Sequence, residues 1–157
     1  MLLFAQVERL ASGLKELKRL LPAHYAELSE HRARGYDLDP DYNTYLALEA
    51  SGQLIYVTLR SENGILLGYF VGFLTRDLHY RVLSLKMDIV YVVEAARGHR
   101  GGKELLRTVM HEAKKRGAEL VLMNFKESHR AHMEALLREC EFKPFESIWA
   151  KWLPGAA

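Results

Sequence analysis

The sequence predicts an α/β fold built on a mixed sheet, and three features carry that expectation. Two apolar runs, Leu54 to Arg60 and Ile65 to Thr75, flank Asn63-Gly64, the strongest short hairpin signal a sequence offers. A third run, Val82 to Val93, completes an antiparallel meander. It leads through a glycine-rich turn into an amphipathic helix and a further run, Leu120 to Phe125, the order of a right-handed parallel strand-helix-strand crossover. No repeat or linker interrupts the 157 residues, so one domain is expected over 1–157, helical in 1–52 and sheet-forming in 53–157.

In chain order, Ser12 is the candidate cap of a first helix, with Leu14, Leu17, Leu20 and Leu21 at helical spacing until Pro22 interrupts it. Pro22 can open a second short helix, Ala23 to Glu30, before a loop from Gly35 to Asp39. Asp39-Pro40 then starts a third helix that ends at Gly52. Met87 to Val93 is mostly apolar, as in a strand covered on both faces. Lys103 to Arg116 sets Leu105, Leu106, Val109, Met110 and Ala113 on one stripe and is stopped by Gly117. Ser128 can cap a last helix carrying Met133, Leu136, Leu137 and Cys140, and Phe142 to Leu153 is expected to close the chain as a strand with Trp149 and Trp152 on opposite faces.

With 49% hydrophobic and 27% charged residues the chain can bury a core, which excludes disorder. Its longest apolar stretch, Ile65 to Leu74, falls well short of the roughly 20 residues of a membrane span. Met1 to Ala5 ends at Gln6, too early for a secretory segment, and the single Cys140 forms no intramolecular disulfide. A cytoplasmic protein with no membrane partner is expected. Twenty-two Lys and Arg against 20 Asp and Glu give a net charge of +2, too even for gripping a nucleic-acid backbone. Any anion site must be local.

Such a site is visible at the turn after the long strand. Free backbone N–H groups and the positive end of a helix dipole converge there with Arg97, His99, Arg100, Lys103 and Arg107, a setting for phosphate or pyrophosphate. It is not a P-loop, which needs Ser or Thr where Glu104 stands, and it has no G-x-G-x-x-G.

Arg97-Gly98-His99-Arg100-Gly101-Gly102 resembles the R/Q-x-x-G-x-G/A signature of the GNAT superfamily of acyl-CoA-dependent N-acyltransferases, with Arg100 where a glycine usually lies. Asp88-x-x-Tyr91-Val92, His24-Tyr25, Leu38 to Tyr45, Leu78-His79-Tyr80 and Phe142-Lys143-Pro144 are similar to the phage-type branch of that superfamily. The resemblance implies acetyl-CoA as cosubstrate. Its pantetheine arm would lie on the backbone of Val90, Tyr91 and Val92, and its pyrophosphate among Arg97, Gly98, His99, Arg100, Gly101, Gly102 and Lys103. It also implies an acceptor pocket built by the early helices, the hairpin and the last strands. Tyr25, Tyr42, Tyr45, His79 and Tyr80 make that region aromatic, which favours a small-molecule or peptide amine over a polyamine. Many relatives protonate the leaving thiolate with a tyrosine of the last helix; here Leu137 takes that position, leaving Tyr91 or water. A homodimer is compatible with an exposed apolar strand or early helix.

The chemistry sets its own demands. A lysine-like amine has a pKa of about 10.4, so presenting it neutral at pH 7 costs roughly 4 to 5 kcal/mol unless a base assists. Asp88, the carboxylate inside the apolar strand, is the leading candidate base, and Glu94 at the mouth of the turn competes with it. His129 and His132 could share a helical face, but no third ligand at a recognisable spacing makes them a metal site. Two functions remain: an N-acetyltransferase working by direct attack in a ternary complex, and a non-catalytic acyl-CoA-binding sensor or interaction module on the same fold.

Overall fold

The computed structural model describes residues 1–28, 30–98 and 100–153. Its sheet starts earlier than the sequence suggests. Leu3–Val7 (β1) runs antiparallel to Leu54–Ser61 (β2), because Leu3 and Ala5 point into the core while Phe4 and Gln6 point out. The apolar Phe4, half exposed, hides this alternation, and the expected helical region 1–52 thus contributes an edge strand. Leu66–Arg76 (β3) returns antiparallel to β2 across Asn63-Gly64, where Gly64 takes a φ of +78°. Leu83–Val92 (β4) is antiparallel to β3, and Leu120–Leu122 (β5) lies parallel to β4, giving the order β1-β2-β3-β4-β5. The mixed sheet is therefore as expected, with one strand more.

The first helix corrects a second expectation. Leu10–Leu28 (α1) is continuous through Pro22, which removes one backbone donor at a cost of about 3 kcal/mol. Leu17, Leu21 and His24 are buried on both sides of that proline, and their packing on the sheet holds the helix through it. The cap is not Ser12. The N–H groups of Leu10 and Ala11 donate to the Glu49 carboxylate, the second at 3.0 Å, from the helix Tyr42–Ala50, which follows the short Glu30–Ala33 helix. We number these α1, α2 (Glu30–Ala33) and α3 (Tyr42–Ala50). Asp41, rather than Asp39, caps α3 by accepting from Thr44 N–H at 3.0 Å.

After the short Glu94–Arg97 (α4), Gly101–Lys115 (α5) lays Leu105, Val109 and Ala113 on Ile55, Val57, Leu59, Phe70 and Leu85. On the opposite face, Leu10, Leu17 and Leu21 of α1 cover Leu54, Tyr56, Tyr69, Val71 and Tyr91. Arg130–Glu139 (α6), entered through a 3-10 turn at Glu127–His129 with no side-chain cap from Ser128, leans on α5 through Leu106, Leu137 and Cys140.

The segment 142–153 is not a strand. Pro144 lacks a donor, and Phe145, Ile148, Trp149 and Leu153 are all exposed rather than alternating. Trp152 stacks on Tyr36 at 5.7 Å and meets His31 edge-on at 5.2 Å, so the end of the described chain rests against the segment around α2.

Candidate active site

β4 and β5 pair only from Ser84–Leu120 to Lys86–Leu122. Beyond Lys86, β4 runs on to Val92 with no strand on that side among the described residues, and the two strands separate into a cleft of about 1540 Å³. α1 and α3 wall it on one side, the N-terminus of α5 and the segment after β5 on the other.

A β-bulge shapes its floor. Val71 faces Ile89 and Gly72 faces Met87, so Asp88 is the extra residue of β4. Met87 and Val90 pack toward α5 while Ile89 and Tyr91 pack toward α1, and the bulge turns Asp88 to the α1 and α3 side together with Ile89. There the half-buried Asp88 accepts a hydrogen bond from the Tyr45 hydroxyl at 2.5 Å. Burial and this carboxylate push the Tyr45 phenol well above its ordinary range, so it stays a donor.

Three residues along the same strand, Tyr91 is buried against a second constellation. Its ring stacks on His24 of α1 at 4.7 Å with 13° between planes, and Arg97 lies over it at 5.6 Å. His24 Nδ1 is 2.7 Å from the hydroxyl of the fully enclosed Tyr69. Burial pulls the His24 pKa down to about 4, leaving a neutral imidazole at pH 7, and burial likewise raises the Tyr91 and Tyr69 phenols.

The residues of the glycine-rich turn divide by position. Arg97 donates from Nε to the Val92 carbonyl at 2.8 Å and from Nη2 to Glu27 at 2.7 Å, tying α1 to the end of β4. That contact lowers the Glu27 carboxyl and raises the guanidinium. Arg100 adopts a left-handed φ of +61° and faces the cleft; its carbonyl accepts from Glu104 N–H at 3.0 Å, while its side chain has no hydrogen bond or ion pair among the described residues. Gly101 is buried, and a Cβ there would stand 2.7 Å from a Leu59 methyl, so this glycine lets α5 approach the sheet. Gly102 lines the cleft with Lys103, which reaches Glu139 at 3.5 Å. Among the described residues no side-chain hydrogen bond caps the start of α5, and Arg100, Gly102 and Lys103 there line the same space. Gly98 and Arg107 stand away from the cleft, Arg107 paired with Glu104 at 3.2 Å, and His99 lies outside the described residues.

Val90, Tyr91 and Val92 all line the cleft, as do Tyr25, Tyr42 and Tyr45, whereas His79 and the exposed Tyr80 do not. Leu137 is core. Sequence reasoning passed over Glu27, Tyr69 and Glu49, whose partners are tens of residues away, and noted His24 only through the His24-Tyr25 resemblance. Among the described residues, no three His, Cys, Asp or Glu side chains gather as a metal site, and no helix is long and apolar enough to cross a membrane.

Solved structures share this fold. A ribosomal-protein-alanine N-acetyltransferase from Brucella melitensis biovar Abortus 2308 is 18% identical with a TM-score of 0.71, covering 97% of this chain and 99% of its own. Glucosamine-6-phosphate N-acetyltransferase from Arabidopsis thaliana is 14% identical (TM-score 0.69; 97% and 99%). An aminoglycoside acetyltransferase from an uncultured soil metagenomic sample, in complex with sisomicin, is 13% identical (TM-score 0.74; 96% and 95%). No curated protein matches the sequence significantly. The acetyltransferase (GNAT) family matches residues 15–142, most of the sequence and the whole of the cleft-forming β4, turn and α5. The chain belongs to the GNAT family of acetyltransferases.

Proposed function

We propose that the protein transfers an acetyl group from acetyl-CoA to a primary amine by direct attack within the cleft, and that it sits in the phage-type branch of its superfamily. The observation that carries the reading is the splay of β4 from β5 beside the uncapped start of α5. Acetyl-CoA supplies an activated thioester. The residues present fit it: the α5 N–H groups, Arg100 and Lys103 offer an anion site for the pyrophosphate, and the free edge of β4 from Asp88 to Val92 offers backbone partners for the arm. Arg97 acts here through structure, holding the Val92 carbonyl and Glu27 and so fixing the width of the cleft mouth.

Asp88 is the base. It stands on the face of β4 turned to Tyr45, where tyrosines of α1 and α3 form walls suited to a cation, and it takes the proton that the acceptor ammonium must lose. Tyr45 orients the carboxylate. Acceptors of the class expected are small-molecule or peptide amines.

The test follows CoA release over a panel of small amines, aminoglycosides and peptide N-termini. Turnover with at least one amine is expected, and Asp88→Asn lowers it by about 10² at pH 7, the loss shrinking toward the amine pKa. Acetyl-CoA binding without turnover on any amine would replace the enzyme by an acyl-CoA-binding module, the reading that the buried Leu137 favours.

A further inference from the structure

We propose that His24 is a ligand-binding residue of the cleft, donating its Nε2–H to a carbonyl oxygen of the acyl-pantetheine arm, with Tyr69 as the positioning residue that fixes its tautomer. The proposal rests on the assignment of the cleft to acyl-CoA.

Three observations lead to it. The Tyr69 side chain is fully enclosed and its hydroxyl has a single partner, His24 Nδ1. A buried phenol left without an acceptor is costly, so its O–H donates to Nδ1, and the proton of the neutral ring must then sit on Nε2. Among the described residues, the fully enclosed side-chain polar atom lacking a partner is the Tyr56 hydroxyl. Among the described residues His24 Nε2 has no partner and is not fully enclosed, so it keeps an opening, and His24 lines the cleft. The ring is clamped between Tyr69 and Tyr91, and Tyr91 belongs to the stretch of β4 that has lost its neighbour, so the free donor stands beside that open edge.

The electrostatics choose the ligand atom. Glu27, Lys126 and Arg97 are the charged groups acting on His24; burial, helped by the two cations, outweighs the Glu27 carboxylate and keeps the ring neutral. A single uncharged donor in a partly dry wall suits an amide carbonyl of the pantetheine arm, which CoA itself carries. Phosphate would select the cationic turn, with Arg100 and Lys103, instead.

The experiment uses 15N-labelled protein and the imidazole nitrogen signals of His24, assigned by comparison with His24→Gln. The free protein is expected to show the Nε2–H tautomer, Tyr69→Phe a tautomer mixture, and added CoA a shift of the His24 signals. In calorimetry, His24→Ala and, more weakly, Tyr69→Phe lower CoA affinity, by roughly 5- to 20-fold for the first, while adenosine 3′,5′-bisphosphate, which lacks the arm, binds all three proteins alike. CoA binding that leaves His24 signals unmoved overturns the proposal, as does an equal loss for the arm-less nucleotide or a His24 shift produced only by the amine. The wild-type signals decide the matter even if His24→Ala does not fold. Failure of wild-type protein to bind CoA at all would instead overturn the function proposed for the cleft, a separate result.

Discussion

On the α5 face of the sheet the enclosed side chains are Ile55, Val57, Leu59, Leu74, Leu85, Leu105, Val109 and Ala113 around a single aromatic, Phe70. On the α1 face, Tyr56, Tyr69, Tyr91 and His24 are interleaved with leucines. Both faces exclude water, but the first offers nothing except dispersion and burial, whereas on the second Tyr69 and His24 direct polar atoms to each other and His24 and Tyr91 line the cleft, the enclosed Tyr56 hydroxyl being left without a partner among the described residues. The difference separates two duties of one sheet. Strand β4 takes part in both: Leu85, Val90 and Val92 face α5, and the bulge at Asp88 turns Asp88, Ile89 and Tyr91 the other way.

The largest effect that tests this division is on stability. Leu105→Ala removes a fully buried side chain from the α5 face and should lower unfolding free energy by about 2–5 kcal/mol in urea titration, with the thermal midpoint falling by roughly 5–15 °C. Tyr69→Phe, equally buried on the α1 face, keeps its volume and loses one hydrogen bond, so about 1 kcal/mol is expected. Similar losses for the two would erase the contrast.

The second effect is on pH dependence. The unfolded chain takes a proton at His24 near pH 6.5, and the folded chain not until about 4, so stability is full above 6.5, declines as pH falls through that window and levels below it. At the opposite end of the α1 face, Arg60 beside Glu8 (2.6 Å) holds that carboxyl down to about 2. Its contribution is complete above pH 4.5 and is lost between 4.5 and 2. Each window is worth on the order of 3 kcal/mol. His24→Gln should flatten the upper window and spare the lower, with Glu8→Gln doing the reverse. A stability profile from pH 7 to 4.5 that His24→Gln leaves unchanged would show that the ring is hydrated in the folded state.

Periodicity made the α5 side readable from sequence. Leu105, Leu106, Val109 and Ala113 recur at helical spacing, Asn63-Gly64 announces its hairpin, and the glycine-rich turn lies where β4 meets α5. Local signals failed where distant partners decide. Pro22 reads as a break because the packing of Leu21 and His24 that carries α1 through it is not local, and β1 is passed over because Phe4 masks the alternation of Leu3 and Ala5. The bulge is invisible for a similar reason: the apolar run Met87 to Val93 permits either register, and only pairing with Val71 and Gly72 selects the one that sets Asp88 beside Tyr45. His24 and Tyr69 lie 45 residues apart, and no spacing rule joins them. The candidate site was thus legible at the glycine-rich turn and in the aromatic residues of its α1 and α3 wall, but not in the pairings that orient Asp88 and His24.

The smallest expected effect concerns the place where the sequence departs from its family's signature. Arg100 holds a left-handed backbone, φ +61° and ψ 8°, that a side chain disfavours by about 1–2 kcal/mol and glycine does not. Arg100→Gly also loosens the unfolded chain, which offsets part of that relief, so a net gain of about 0.5–1 kcal/mol in unfolding free energy is expected. The same change removes a cation from the uncapped start of α5, on the side of the cleft assigned to pyrophosphate. CoA affinity should therefore fall several-fold at low salt and converge with the wild type at high salt, where screening already weakens the charge. A gain in stability together with a salt-sensitive loss in affinity would mean that the strained turn is retained for its charge. Unchanged affinity would remove the ligand from Arg100 and leave the backbone N–H groups of α5 to hold the anion alone.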